Sequence, residues 1–205
     1  MGMPAVRTDS TPHRRWTTAQ VRDLMDESRH WPRYELIDGE LIVTPAPGFP
    51  HQIAIGEFLQ FIKPYTLAEK VGIAVPSPAD LELKPGTITQ PDVFVIPKAA
   101  FTDSDTTPKW SDVTGLLLAI EIISPSSVRT DRITKRDFYL GAGVAEYWIV
   151  DLDARIVERW FPSRETPELA RTSLEWLPAG AKSILTINLT ELFDSIWAQY
   201  RLLFR

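Results

Sequence analysis

The chain contains no cysteine. That excludes disulfide frameworks, thiolate metal centres and cysteine nucleophiles together, and it suits a reducing compartment. Histidine is almost as scarce: only His13, His30 and His51 occur, too few and too scattered for a histidine-rich zinc site. No apolar run approaches the length of a membrane span; the longest, residues 116–120, continues past Glu121 only through Ile122 and Ile123. There is no phosphate-binding glycine loop ending in Lys-Ser/Thr, no dinucleotide fingerprint, no Gly-x-Ser-x-Gly elbow and no His-Glu-x-x-His pair. Positive charge is also in deficit. The 22 Lys and Arg face 27 Asp and Glu, a net charge of −5, which argues against coating nucleic acid through the overall field but leaves room for a local basic patch. Arg7, Asp9, Arg14 and Arg15 have no apolar core behind them and do not form a secretory signal. The expectation is a soluble, cytoplasmic protein with no membrane partner.

What is present reads as a globular chain. Hydrophobic residues make up 44% of the 205 positions and charged residues 24%, enough for one domain. Residues 1–15 read as a flexible leader and 16–205 as a single domain, with 161–205 adding a strand and a helix. Thr17 precedes Gln20 by three, a capping box for a helix over about 18–28. Asp38-Gly39 between two apolar runs predicts a hairpin, because a type I′ turn needs positive φ at both central residues. A helical pattern follows over 51–69, with Pro64 as a break or kink. Extended runs over 71–75, 80–83 and 92–96 precede a polar loop over 97–114. Residues 116–124 read as a buried central strand, 127–142 as a helix, and 146–151 with 155–160 as a second hairpin. A strand near 184–188 and a helix from about Thr190 complete an α/β pattern of a mixed sheet flanked by helices.

The chemistry rests on carboxylates in unexpected places. Glu121 interrupts the apolar central strand, where an unpaired charge costs several kcal/mol; it either reaches solvent at the strand end, pairs with an arginine or binds a cation. Asp92 follows Pro91 where a strand begins, as in an ordinary polar turn, and Glu35 lies on the first hairpin, as on an exposed strand face. As a set, three acids on separate strands with no cysteine suit a hard, oxygen-ligated cation such as Mg²⁺ or Mn²⁺. Asp131, Lys135 and Tyr139 recur every four residues and share one helix face. Asp131 and Lys135 are either a surface pair worth a few tenths of a kcal/mol or part of a face turned towards the acids.

Pro91-Asp92, with Glu121-Ile122-Ile123 on a hydrophobic strand, resembles the PD-(D/E)XK nuclease superfamily. Together with Tyr34-Glu35-Leu36-Ile37-Asp38-Gly39-Glu40, Ser124-Pro125-Ser126-Ser127, the Asp131, Lys135, Tyr139 series and Glu146-Tyr147-Trp148-Ile149-Val150-Asp151, the pattern is similar to the Uma-two family, over roughly residues 16–160. The resemblance implies a restriction-endonuclease-like central mixed β-sheet flanked by α-helices, with a metal-dependent phosphodiesterase site. It implies Asp92, Glu121 and the Ile122 carbonyl as ligands of Mg²⁺ or Mn²⁺, and Glu35 as the acid from an early element. The superfamily lysine two positions after the acid is Ile123 here, and Lys135 on the following helix matches the migrated position. His51, Arg129, Arg132 and Tyr139 are the expected substrate contacts.

The implied function is an endonuclease hydrolysing DNA rather than RNA, with Lys135 assisting at the phosphoryl oxygens or on the attacking water. Arg129, Arg132, Lys135 and Arg136, with Arg14, Arg15, Arg29 and Arg33, are candidates for local positive charge, or else ordinary solvated residues. A homodimer is expected, because such nucleases often pair two sites across a duplex. The Ile123 substitution leaves open a catalytically silent nucleic-acid- or protein-binding module on a nuclease fold, and the acidic balance leaves open a smaller phosphoester substrate. His51 is expected beside the cleft mouth and not as a metal ligand.

Overall fold

Residues 15–28, 31–100, 109–124 and 127–204 are described by a computed structural model. The expected leader lies outside these residues apart from Arg15, as do Arg14 and Arg29. Helix α1 (Thr18–Glu27) is closed by the expected capping box on Thr17. Strands β1 (Arg33–Ile37) and β2 (Glu40–Thr44) form the expected hairpin, with φ of 50° at Asp38 and 80° at Gly39.

Helix α2 (Phe49–Glu69) begins two residues earlier than the apolar pattern suggested, because Pro50 fits the first turn. It also runs through Pro64. Proline removes the hydrogen bond to the carbonyl four residues earlier, but Gln60 and Pro64 both lie on the exposed face, where water replaces it.

The central sheet has six strands in chain order: β3 (Gly72–Pro76), β4 (Val93–Pro97), β5 (Leu118–Ile122), β6 (Tyr147–Asp151), β7 (Ile156–Trp160) and β8 (Glu168–Ala170). Neighbours are antiparallel except β5 and β6. The parallel step requires a crossover, supplied by a π-helical segment (Thr130–Lys135) running into helix α3 (Arg136–Gly141). Strands β9 (Ser173–Trp176) and β10 (Leu185–Asn188) form a separate hairpin before helix α4 (Leu189–Leu202). The run over 80–83 is not a strand. A single bridge joins Leu81 to Thr89, and a turn closed by Thr87 N–H on Lys84 O bends the chain back on itself.

Side-chain alternation sorts the strands into two cores. Val93, Val95, Leu118, Ile120, Ile122, Trp148 and Val150 pack with α2, α4 and the β9–β10 hairpin. Phe94, Ala119, Tyr147 and Ile149 pack with Phe138, Tyr139 and Ile37 on the opposite face. Residues 161–205 therefore contribute an edge strand and much of the first core, through Leu174, Trp176, Ile187 and Phe193. Close approach of β3 to β4 depends on Gly72, where a Cβ would meet Ile96 O at 2.1 Å. Gly72→Ala is expected to destabilise the fold by about 1–3 kcal/mol, read as a lower urea midpoint at unchanged slope. Among the described residues no helix is long and apolar enough to cross a membrane.

Candidate active site

The acids converge because three local features aim them at one point. The β4–β5 register pairs Val93 with Ile120, so one further step sets Asp92 opposite Glu121, both on the sheet face that carries Phe94 and Ala119. Ala119 and Ile123 donate their N–H groups to β6, at Glu146 O and Val150 O. The alternate residue Ile122 therefore faces β4, where the next position in register is Pro91. Proline cannot donate to a ladder. Ile122 N–H instead donates to Asp92 Oδ2 at 2.9 Å, and its carbonyl, on the same edge, is left without a ladder donor. This is the physical content of the Pro-Asp pair.

Glu35 arrives from β1, which is docked on the segment before β4 by reciprocal Leu36–Ile88 backbone bonds of 2.7 and 2.9 Å. Its Oε1 accepts from Gln90 N–H at 2.8 Å. Asp131 and Lys135 arrive from the π-helical segment. Arg136 N–H bonds to Asp131 O there, the five-residue step of a π-helix, and Tyr147 Oη donates to the same carbonyl at 3.1 Å.

Lys135 is the hub. Its ammonium lies 2.7 Å from Glu35 Oε2, 3.0 Å from Glu121 Oε1 and 3.7 Å from Asp131 Oδ1. Glu35, Asp92, Glu121, Asp131 and Lys135 are all at most 4% exposed. Burial works against the Lys135 ammonium, but Glu121, Glu35 and Asp131 outweigh it and hold its pKa well above the ordinary lysine value. Burial pushes Glu121 well above the usual carboxylate range, with Asp92, Asp131 and Glu35 adding repulsion that Lys135 only partly offsets. Asp131 is raised for the same reasons, against Lys135 and a hydrogen bond from Ser127. Asp92 goes the other way. Burial would raise it, but His51, the Ile122 N–H and Lys135 bring it below its ordinary value.

These groups line a cleft of about 160 Å³ with Arg33, His51 and Ser124. His51 Nε2 lies 3.1 Å from Asp92 Oδ1 yet is not aligned to donate to it, so the contact is electrostatic. Arg33 reaches the same oxygen at 3.4 Å. The sequence marks Arg33 only as general positive charge. Strand alternation carries the missed signal, since residues 33 and 35 share a face.

The other expected contacts lie elsewhere. Tyr139 is fully buried behind Glu121 and donates to its Oε1 at 3.2 Å, so it positions the acid and does not form the cleft surface. Arg132 is held by Glu158 of β7 at 2.7 Å and Asp151 of β6 at 3.3 Å. Arg129 is exposed, and Arg136 pairs with Asp137 over the Trp160 ring. Of that basic segment only Lys135 lines the cleft.

A divalent cation fits this donor chemistry. The four carboxylates, when ionised, face two fixed cations, Lys135 and Arg33, and two negative charges remain uncompensated in a buried place. Both hydrogen bonds to Glu121 fall on Oε1. Among the described residues no three acidic or histidine side chains form a metal cage by themselves. Asp92, Glu121 and the Ile122 carbonyl instead make the sparse oxygen set with which Mg²⁺ retains several waters.

The family described as "Putative restriction endonuclease", Uma2, matches residues 19–189. The chain belongs to the Uma2 family. The match contains every acid of the cleft, Lys135, His51 and Arg33, and ends at the first residue of α4. Among solved structures, one described as "a putative nuclease belonging to DUF820" from Anabaena variabilis ATCC 29413 is similar, with a TM-score of 0.65 and 23% identity over 80% of this chain and 92% of that chain. At that identity the likeness bears on the fold: a mixed sheet with flanking helices, as the Uma2 pattern implied. No curated protein matches the chain significantly.

Proposed function

We propose that this chain is a metal-dependent endonuclease that hydrolyses DNA phosphodiester bonds at the acidic cleft. The observation that carries the reading is the gathering of four buried carboxylates around the single buried ammonium of Lys135, at one end of β4 and β5. The family description favours nucleic acid as the substrate, and DNA in particular.

Asp92, Glu121 and the Ile122 carbonyl would hold Mg²⁺ or Mn²⁺. When bound, the cation supplies Lewis-acid neutralisation of charge on the phosphoryl oxygen. Lys135 takes the role of the lysine absent at Ile123, donating to a phosphoryl oxygen or orienting the attacking water. Glu35 and Asp131 hold that ammonium charged and in place. Tyr139 fixes the Glu121 carboxylate, His51 and the Ile122 N–H keep Asp92 ionised, and Arg33 and His51 face the incoming phosphate.

The test is cleavage of supercoiled plasmid, single-stranded DNA and RNA in EDTA, Mg²⁺ and Mn²⁺. DNA cleavage with either cation is expected, with Asp92→Asn slower by about 100-fold or more. Absence of cation-dependent cleavage of any substrate overturns the reading. A second reading, a binding module without catalysis, is favoured by Ile123 and by the anchoring of Lys135 in three ion pairs. It predicts DNA binding that Asp92→Asn leaves intact, with no cleavage.

A further inference from the structure

A second chamber of about 460 Å³ adjoins the acidic cleft, sharing Gly48, His51 and Ser124 with it. Its chemistry is different. Ile123, Val128, Leu152 and Trp197 supply apolar and aromatic wall, Asp151 and Asp153 supply its carboxylates, His51 stands at the boundary with the acidic cleft, and among the described residues no lysine or arginine lines it. A phosphate would be repelled there. Asp151 is already committed to Arg132 and to Ala154 N–H. Asp153 is exposed and has no partner among the described residues, so its carboxylate is available as an acceptor. A chamber with an apolar and aromatic wall and one free acceptor, a single side chain away from the acids, has the character of a site for an unstacked base.

We propose that this chamber receives an unpaired nucleobase of the strand whose phosphate lies at the acidic cleft. The base packs against Trp197 and Ile123, and Asp153 accepts from an exocyclic amine such as that of cytosine. The inference rests on the nuclease reading and deepens it: the preferred substrate is single-stranded or locally unpaired DNA. It also accounts for Ile123. At the position where the superfamily carries lysine, this side chain lines the second chamber and not the acidic cleft, and a lysine there would charge the base site.

The test compares two single-stranded oligonucleotides, one normal and one with an abasic linker beside the scissile phosphate, in Mn²⁺. Binding in EDTA is read in parallel from 2-aminopurine fluorescence at the same position. Wild type is expected to favour the normal strand by about tenfold, the scale of one stacked base, and to quench 2-aminopurine in single strands but not in a fully paired duplex. Ala154→Trp, a substitution at an exposed rim position, fills the chamber and should bring the preference to within about twofold; Trp197→Leu should do so by removing the ring. Equal preference in wild type and both variants, with cleavage retained, overturns the base site alone. Loss of cleavage of both strands by wild type overturns the nuclease reading beneath it.

Discussion

Lys135→Met is expected to lower the melting temperature of the cation-free protein by on the order of 10 °C. The ammonium is buried and lies within ion-pair distance of Glu35, Glu121 and Asp131. Breaking a buried pair by removing one partner typically costs about 3–5 kcal/mol, because the other charge is left uncompensated; here three carboxylates are left. The loss should shrink as pH falls towards 5, since Glu121 and Asp131 already have raised pKa values and protonate instead of repelling. Saturating Mn²⁺ should restore part of it by replacing the missing charge in the folded state only. Thermal melts of both proteins at pH 5 and 8, with EDTA or Mn²⁺, make the check. A shift of less than about 2 °C at pH 8 would mean that the lysine is not the counterion of the site.

Glu121→Gln should have opposite effects on stability and activity. Burial and three neighbouring acids disfavour the Glu121 carboxylate, and glutamine removes that charge at nearly the same shape. The cation-free variant is expected to gain about 1 kcal/mol at pH 8, or about 2–4 °C, while cleavage falls as far as in Asp92→Asn. The pH dependence has a definite sign. With Glu121 and Asp131 raised, the folded protein binds more protons than the unfolded chain from about pH 4 upward. Stability therefore falls as pH rises through that window and levels off once both folded-state groups have ionised. Asp92 is lowered, so it contributes stability above its unfolded value and loses it only in more acidic solution. In Glu121→Gln the downward slope above pH 4 should be shallower. A variant that melts lower than wild type at pH 8 would show that the Glu121 charge stabilises the site.

Much of this arrangement was legible in the residues. Thr17 with Gln20 and Asp38 with Gly39 are local signals, because a cap and a type I′ turn are closed within four residues. The interruption of an apolar strand by Glu121 marked a buried charge, and the spacing of Asp131 and Lys135 marked a shared face. The π-helical step was not legible, because it depends on Tyr147 holding the Asp131 carbonyl from another strand. Strand β8 spans only three residues without apolar alternation and exists through pairing with β7. Strand β9 does alternate, with Leu174 and Trp176 buried, but at four residues it is too short to stand out without its partner β10. The second chamber was also hidden, since Trp197, Leu152 and Ile123 meet only when α4 closes over the β6–β7 turn.

The dependence of the first core on α4 has a consequence for synthesis. Strands β4 to β7 expose Val95, Ile120, Trp148 and Val157 to one face, and the helix that covers them through Leu192, Phe193 and Ile196 is made about 40 residues after Val157. At about 5–20 residues per second, an elongating chain carries that face covered by α2 alone for roughly 2–8 s. During that interval the acids already stand at one end of a half-covered sheet, so the segment between β7 and α4 is where a holding chaperone would act on the nascent protein.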